Sequence, residues 1–268
     1  MLTWSCYAPA PFESAFSILN KLLLANAATL EDIGPLLGAR PRAADEKLFR
    51  YVMQLQRRST DWDLSRAARL TGAPAQRLRQ GFLQDVWFPL TVRKRDGVRF
   101  CPQCATWGYH NVFFDIAAIS HCPWHGSPLD FACPACMRLL GRTARDLQPD
   151  LMRLKVLEAG HYCYRTNPLV GWKYGLNLLL PEQEREVRAA SLALRRWQRR
   201  LARRLAERGE TLALFGWVGK DAFEIKKAST WAQQKLRAVA LAGPCPWSLA
   251  GDPDHPKRPV SNLRVESS

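Results

Sequence analysis

The sequence has no apolar run that approaches the roughly 18 to 20 residues needed to cross a membrane. Residues 1–7 lack the basic start and the apolar core of a secretory signal peptide. Acidic residues are few, since 24 Asp and Glu stand against 39 Lys and Arg, giving a formal net charge of +15. We therefore expect a cytoplasmic protein with no membrane contact. The positive charge favours a polyanionic partner such as DNA or RNA over the alternative that it only keeps the protein in solution.

Motifs of hydrolytic and nucleotide chemistry are also missing. The chain contains no H-E-x-x-H, no Gly-rich phosphate loop and no carboxylate cluster beside its cysteines. A nuclease or another zinc hydrolase is the least favoured interpretation, and we expect no enzymatic activity. The 268 residues, 47% hydrophobic with 10 Trp, predict a globular chain of about two domains.

What the sequence does have is a dense block of Cys and His. Five of its eight cysteines lie between residues 101 and 136, all in C-x-x-C or C-x-x-H pairs with Pro after the first Cys. Two intervening residues allow a tight turn to direct both side chains at one ion. Buried thiols or disulfides are the alternative, but clustered cysteines in a reducing compartment indicate metal ligands.

The spacing predicts one complete zinc site and a second, weaker one. The first set is Cys101, Cys104, Cys122 and His125, which fills a tetrahedron and so indicates a structural ion rather than a catalytic one. Zinc binding there would contribute on the order of 10 kcal/mol to folding. The second set would be Cys133, Cys136, His161 and Cys163. His161 and Cys163 are separated by a single residue, and this H-x-C spacing chelates an ion less well than C-x-x-C does.

Around this block the pattern is mainly helical. Apolar spacing predicts a helix from about residue 11 or 12 to 25–27, with Glu13 in its first turn, a short helix over 29–37, and another over 41–57. Residues 64–83 have the layout of a helix-turn-helix, which exposes Arg77 and Arg79 to a nucleic-acid groove. A simple packed helix pair is the equal alternative.

The C-terminal half carries the densest charge. A helix is predicted from Pro181 to Gly209, with an apolar stripe of Leu194, Trp197, Leu201 and Leu205. Two arginine rows run beside it, and Arg196, Arg200 and Arg204 form the row that we expect to bind nucleic acid or an acidic partner, with solvated surface as the alternative. A last helix is expected over 228–241, with Trp231 and Leu236 facing inward.

The predicted fold is therefore mainly α with a small zinc-ribbon or zinc-finger module. The expected division is a helical, helix-turn-helix-like domain over 1–95, a zinc module over 96–170, a basic helical domain over 171–243, and a disordered tail over 244–268. A D-G hairpin over 87–100 would lead into the zinc module. Arg93, Lys94 and Arg95 of this hairpin either are solvated or contact phosphates.

Three of these segments resemble the TniQ family of transposition proteins. The zinc block has the order C-P-x-C, C-P-x-H-G-x-P-L and C-P-x-C; PFESAFSILNKLLLAN resembles the family's opening Glu-Ser-x-x-Ser helix; and LTGAPAQRLRQGFL resembles the segment before its zinc module. The resemblance covers roughly residues 7–137. The family's fourth ligand pair is usually C-x-x-C, where this chain offers His161 and Cys163.

The resemblance implies a target-site adaptor without chemistry of its own. Such proteins link a target-recognition element, either target DNA or a guide-RNA effector complex, to an AAA+ ATPase that recruits the transposase. The alternative from the residues alone is a stand-alone zinc-containing helix-turn-helix transcription regulator that binds an operator as a dimer. Whether the chain forms a homodimer is left open.

Overall fold

The structure is a computed structural model that describes residues 9–26, 28, 30–38, 59–86, 99–116, 119–131, 179–209, 233 and 236–247. Within these residues it is mainly helical with little strand, as predicted. The helices are α1 (Ala15–Ala25), α2 (Leu30–Leu36), α3 (Leu64–Thr71), α4 (Ala75–Arg79), α5 (Leu83–Val86), α6 (Pro102–Thr106) and α7 (Pro181–Glu207), and the strands are β1 (Arg99–Phe100) and β2 (Asp130–Phe131). Short 3-10 turns cover Ser59–Asp61 and Val112–Asp115.

The first apolar cluster holds the N-terminal helices together. Side chains of α1, including Ile18 and Leu22, pack with Leu78 of α4 and with Leu37 and Phe82 from the turns after α2 and α4, and all are fully buried. Residues 15–23 of α1 are all buried, so this helix is enclosed on every side rather than on one apolar face. The predicted helix over 41–57 lies outside the described residues.

Helix α1 begins later than its apolar spacing predicts. Residues 10–13 form a turn in which Phe12 has φ of 55°, and Glu13 then forms an antiparallel bridge with Asn111 of the Cys/His block. The Ser14 amide donates to the His110 carbonyl at 2.8 Å, and the Val112 amide donates to the Phe12 carbonyl at 2.9 Å. Backbone pairing with a distant segment thus replaces the first helical turn, and the prediction that Glu13 lies in that turn is wrong.

Helices α3 and α4 show the predicted helix pair. The Asp63 carboxylate caps α3 by accepting from the Arg66 amide at 2.9 Å, and Gly72, with φ of 71°, ends it. Pro74 precedes α4 as its N-cap rather than starting it. Because α4 spans only five residues, the structure shows a packed helix pair, and the recognition-helix role stays a prediction.

The strand that enters the metal-binding block pairs forward along the chain. Strand β1 is antiparallel to β2, with Arg99 opposite Phe131 and Phe100 opposite Asp130. The buried Arg99 guanidinium donates to the carbonyls of Phe114, Ile116 and Ile119 at 3.3, 2.8 and 2.6 Å. The Arg99 side chain therefore holds three carbonyls of the segment between the two strands close together. The predicted D-G turn at 96–97 lies outside the described residues.

Helix α7 spans 27 residues and forms one wall of the second apolar cluster. Pro181 stands at its first position, and the Gln183 side chain accepts from the Leu180 amide at 2.8 Å. The predicted stripe is confirmed, since Leu194, Trp197, Leu201 and Leu205 are all buried. These side chains share their cluster with the cysteines of the metal-binding block.

The segment after α7 returns to the same cluster. Residues 236–242 are helical, and Ala238 and Ala242 are the buried positions, whereas Leu236 is 69% exposed. The prediction that Leu236 faces inward is wrong, because small side chains four residues apart form the inner face. They bring the backbone near α7, where the Trp197 Nε1 donates to the Gly243 carbonyl at 2.8 Å.

Trp247 sets a limit on the predicted disordered tail. Its indole is fully buried, and Nε1 donates to the Ala190 carbonyl of α7 at 3.1 Å. Disorder from residue 244 is therefore wrong for residues 244–247. The described parts of the N-terminal, metal-binding and C-terminal regions contact one another, and the predicted domain boundaries stay predictions.

Candidate metal centre

The first pair of ligands comes from the short helix α6. Cys101 is its N-cap residue, Pro102 begins it, and Cys104 lies within its only turn. The Ala105 amide donates to the Cys101 carbonyl at 3.0 Å, and Gly108, with φ of 62°, lets the chain turn away afterwards. This local geometry directs both sulfurs of the C-x-x-C to the same side.

The second pair comes from a tight turn with the same logic. The Gly126 amide donates to the Cys122 carbonyl at 2.8 Å, and the Cys122 amide donates to the Ser127 carbonyl at 2.8 Å. Gly126 has φ of 63°, which favours glycine. The Ser127 hydroxyl also bonds to the side chain of Gln103 in α6. This hydrogen bond fixes the position of the turn relative to α6 and the first pair of ligands.

The four side chains converge on one point. The Nδ1 atom of His125 lies 3.4, 3.4 and 3.5 Å from the sulfurs of Cys101, Cys104 and Cys122, and the last two sulfurs are 3.6 Å apart. In a tetrahedron with metal–sulfur bonds of about 2.3 Å and a metal–nitrogen bond of about 2.0 Å, two sulfurs lie about 3.8 Å apart, and a sulfur and the nitrogen lie about 3.5 Å apart. The cluster fits those edges, so these residues can hold a metal ion.

Burial makes the thiols poor acids in the absence of a cation. Desolvation raises the pKa of Cys104 and that of Cys122 well above the usual thiol value. Hydrogen bonds from the Cys104 and Cys122 thiols lower the pKa of Cys101, so one thiolate is favoured at the expense of its neighbours. A divalent ion at the centre of the four would stabilise all three thiolates together.

The His125 ring faces the three sulfurs with one of its two nitrogens. Its Nε2 is buried and has no hydrogen-bond partner within the described residues, whereas Nδ1 faces the three sulfurs. The Trp107 ring packs edge-on against it with centroids 4.4 Å apart. Three buried cysteines and one half-buried histidine thus supply four donors, the number that a tetrahedral ion takes. Cys133, Cys136, His161 and Cys163 lie outside the described residues, and a second site stays a prediction.

The basic residues singled out from the sequence fall in different surroundings. Arg77 is half-buried and pairs with Glu184 of α7 at 3.2 Å, so it joins two parts of the fold. Arg79 is exposed on α4. Arg196, Arg200 and Arg204 are exposed on α7. Arg93, Lys94 and Arg95 lie outside the described residues.

A buried polar junction beside the metal centre was not foreseen. Glu13 is fully buried, and its carboxylate accepts from the Ala10 amide at 2.9 Å and from the Ser17 hydroxyl at 2.6 Å. The Lys21 ammonium lies 2.6 Å from the same carboxylate and is itself nearly buried. The Glu-Ser-x-x-Ser segment is therefore an internal structural element.

The other half of the junction comes from the loop between the ligand pairs. His110 is fully buried, with Nδ1 2.7 Å from the Ser14 hydroxyl and Nε2 2.6 Å from the Arg99 carbonyl. Because a carbonyl only accepts, Nε2 carries the proton and Nδ1 accepts from Ser14. Burial lowers the pKa of His110 to about 4, which keeps the ring neutral.

Asn111 extends the junction to α7. Its Nδ2 donates to the Tyr109 hydroxyl at 2.7 Å and to the Ser191 hydroxyl at 2.9 Å. The Tyr109 hydroxyl donates in turn to the Pro11 carbonyl at 2.8 Å. The one available signal in the sequence was the polar run Tyr-His-Asn inside an otherwise apolar stretch between two ligand pairs.

Comparisons of the chain with protein-family models, with curated proteins and with solved structures return no match. Among the described residues, no helix is both long enough and apolar enough to span a membrane.

Proposed function

We propose that this protein is a non-enzymatic transposition target-site adaptor of the TniQ type. In this role it links a target-recognition element, either a guide-RNA effector complex or target DNA, to an AAA+ ATPase that recruits the transposase. The ion in the Cys101–His125 centre is zinc, because three thiolates and one imidazole in a tetrahedron are its preferred donors.

The observation that carries the proposal is the contact between the three segments on which the resemblance depends. Ser14 of the opening segment bonds to His110 between the ligand pairs, at 2.7 Å. The Ala15 amide donates to the carbonyl of Gly81, in the segment before the metal centre, at 2.8 Å. Motifs that are far apart in sequence thus meet at one junction, which supports treating them as parts of one structural unit.

The set of four donors supports a structural role for the ion. A catalytic zinc keeps one coordination position for water or substrate, whereas here four protein atoms fill the tetrahedron. The ion would hold the loop over residues 101–125 in the shape that contacts both α1 and α7. The regulator alternative is less well supported, because α4 is only five residues long.

The adaptor role predicts a gene for an AAA+ ATPase beside the gene of this protein, and the test is association of the two purified proteins. We expect the purified protein to co-elute with that ATPase, assembled on duplex DNA with ATP, in size-exclusion chromatography. Failure to co-elute, together with nanomolar binding to one specific operator sequence at physiological salt, would replace the adaptor with the regulator.

A further inference from the structure

Helix α7 carries its charge unevenly along its length. Its first turns contain Glu182, Glu184 and Glu186, and no acid follows until Glu207. The stretch between these acids contains seven arginines: Arg188, Arg195, Arg196, Arg199, Arg200, Arg203 and Arg204. Basic residues complement the helix dipole only within the last turn, so the dipole does not account for those before Arg204.

Arg188 is exposed on the side of the helix opposite the buried stripe and pairs with Glu184 at 3.4 Å. Four further arginines follow on that side. They are exposed, and their spacing of three and four residues places them opposite the buried stripe. We call them the α7 arginine face: Arg196, Arg199, Arg200 and Arg203. Arg195 is not part of it, because it is half-buried with its guanidinium 5.8 Å from the centre of the Phe12 ring.

The face is poorly neutralised by the described part of the protein. Within that part, Arg196 and Arg199 make no ion pair with an acid, and the Arg200 Nε donates to the Ala242 carbonyl at 3.4 Å. Arg203 lies 3.7 Å from Glu207, which Arg204 also approaches at 3.1 Å. One exposed carboxylate therefore serves two arginines, and like charges repel along the rest of the face.

The chemistry of the face fits phosphate better than protein. Protein interfaces depend on aromatic or large apolar anchors. Between Pro181 and Glu207, helix α7 exposes one large apolar side chain, Leu192, which is 37% exposed. Residues four apart rise about 6 Å along a helix, a spacing that lets successive guanidinium groups reach separate phosphates of one groove edge. Guanidinium is also the side chain best suited to bidentate phosphate binding.

We propose that the α7 arginine face binds the phosphate backbone of a double-stranded nucleic acid without reading its bases. This inference rests on the proposed function, because the duplex would be the target held beside the ATPase. Duplex DNA and duplex RNA offer the same phosphate chemistry, and the test below separates them.

The test compares two matched pairs of substitutions in the same helix. R196Q/R199Q removes two charges from the face. R185Q/R188Q removes two exposed charges, also three residues apart, from the acidic first turns, where Arg188 pairs with Glu184 at 3.4 Å. Gln is nearly as good a helix former as Arg, so both should keep the melting temperature of the wild type. Binding of each full-length protein to fluorescent 20-base-pair duplexes of DNA and of RNA, without ATPase, is measured across a salt series.

For R196Q/R199Q we expect the slope of log affinity against log salt to fall by about 1.8 units on DNA, and affinity at 0.1 M salt to fall by tens of fold. R185Q/R188Q should match the wild type, R196K/R199K should keep the slope, and a scrambled duplex should bind equally well. A slope loss on DNA alone or RNA alone identifies the duplex. If R196Q/R199Q melts below the wild type, the single variants R196Q and R199Q serve in its place, each with an expected slope loss of about 0.9 units.

Equal slopes for the wild type and the face variant on both duplexes would overturn the proposal. Equal losses of slope in R196Q/R199Q and R185Q/R188Q would also overturn it, because they would reflect only the net charge of the protein. Displacement of the duplex by polyglutamate as effectively, per charge, as by unlabelled duplex would indicate an acidic protein partner instead. Because no ATPase is present, these results are independent of the co-elution test for the adaptor role.

Discussion

Cys104 shows how much depends on a single ligand in the buried centre. It is fully buried, and its sulfur approaches both Cys122 and His125. We expect Cys104→Ser to lose one equivalent of zinc per chain and most of its soluble yield, because structural zinc contributes on the order of 10 kcal/mol to folding. Metal analysis and the yield of soluble protein measure both effects.

Cys245 provides the matched control, since it packs beside the same apolar cluster without lying near the four donors. Cys245→Ser should keep its metal content and its solubility. A Cys104→Ser protein with the full metal content of the wild type would contradict the assignment of the site.

His110 predicts a specific loss of stability in acid. Its pKa is about 4 in the folded protein and about 6.5 when unfolded, so between these values the unfolded chain binds the extra proton. The stabilisation is complete above pH 6.5 and falls as pH drops towards 4, by about 3 kcal/mol in total. The measurement is the free energy of unfolding by urea at several pH values.

His110→Gln removes this titration and leaves the metal ligands, which also titrate in acid, unchanged. The difference in unfolding free energy between the wild type and His110→Gln should therefore shrink as pH falls from 6.5 to 4. A constant difference over that range would show that His110 does not control the acid limit.

At the scale of elements, the turn at Gly81 fits closely against the start of α1. A methyl group on Gly81 would lie 2.7 Å from the Glu13 carbonyl oxygen and 2.9 Å from the Ala15 amide nitrogen. Both atoms are backbone and cannot move aside easily. We expect Gly81→Ala to lower the free energy of unfolding by about 1–3 kcal/mol, as measured by urea denaturation.

Gly72→Ala separates crowding from backbone strain. Gly72 has φ of 71° and open space around it, so its substitution should cost only the left-handed conformation, about 1–2 kcal/mol. Loss of the α1 contact in Gly81→Ala should also lower amide protection at Ala15, which Gly72→Ala should not do. Equal protection at Ala15 in both variants would argue against the close packing.

The elements that the sequence predicted well are those decided by local pattern. Helix α7 has its predicted start at Pro181 and an end two residues before the predicted Gly209, because its apolar stripe and acidic first turn are local signals. The Cys101–His125 set was likewise predictable, since ligand spacing follows from the geometry of a turn.

The elements that failed are those decided by distant contacts. Glu13 sits in a helix-like sequence, but its backbone pairs with Asn111, nearly a hundred residues away. Leu236 is more apolar than Ala238, but only the smaller side chain fits the close approach to α7. No periodicity within a single segment contains that information.

At the scale of the whole molecule, the metal centre and α7 share one core. Cys101, Cys104 and Cys122 belong to the same apolar cluster as Leu194 and Trp197. We therefore expect that removing the ion with a strong chelator will raise hydrogen exchange in α7 as well as in the loop around the ligands. Mass spectrometry of peptides from 187–205 would measure the effect.

Helices α1 and α3 belong mainly to the other cluster and provide the internal comparison. Their exchange should rise less than that of α7 after chelation. Unchanged exchange in α7 would mean that the shared cluster does not couple the ion to the helix.

The order of the contacts along the chain has a consequence for synthesis on the ribosome. All four ligands of the first centre lie within residues 101–125, whereas α7 begins at Pro181. At roughly 5–20 residues per second, several seconds separate the emergence of His125 from that of α7. The α1 segment, whose partners include His110, is already outside the ribosome by then. A metal ion could therefore bind these four residues on the nascent chain before the α7 stripe emerges to pack against them.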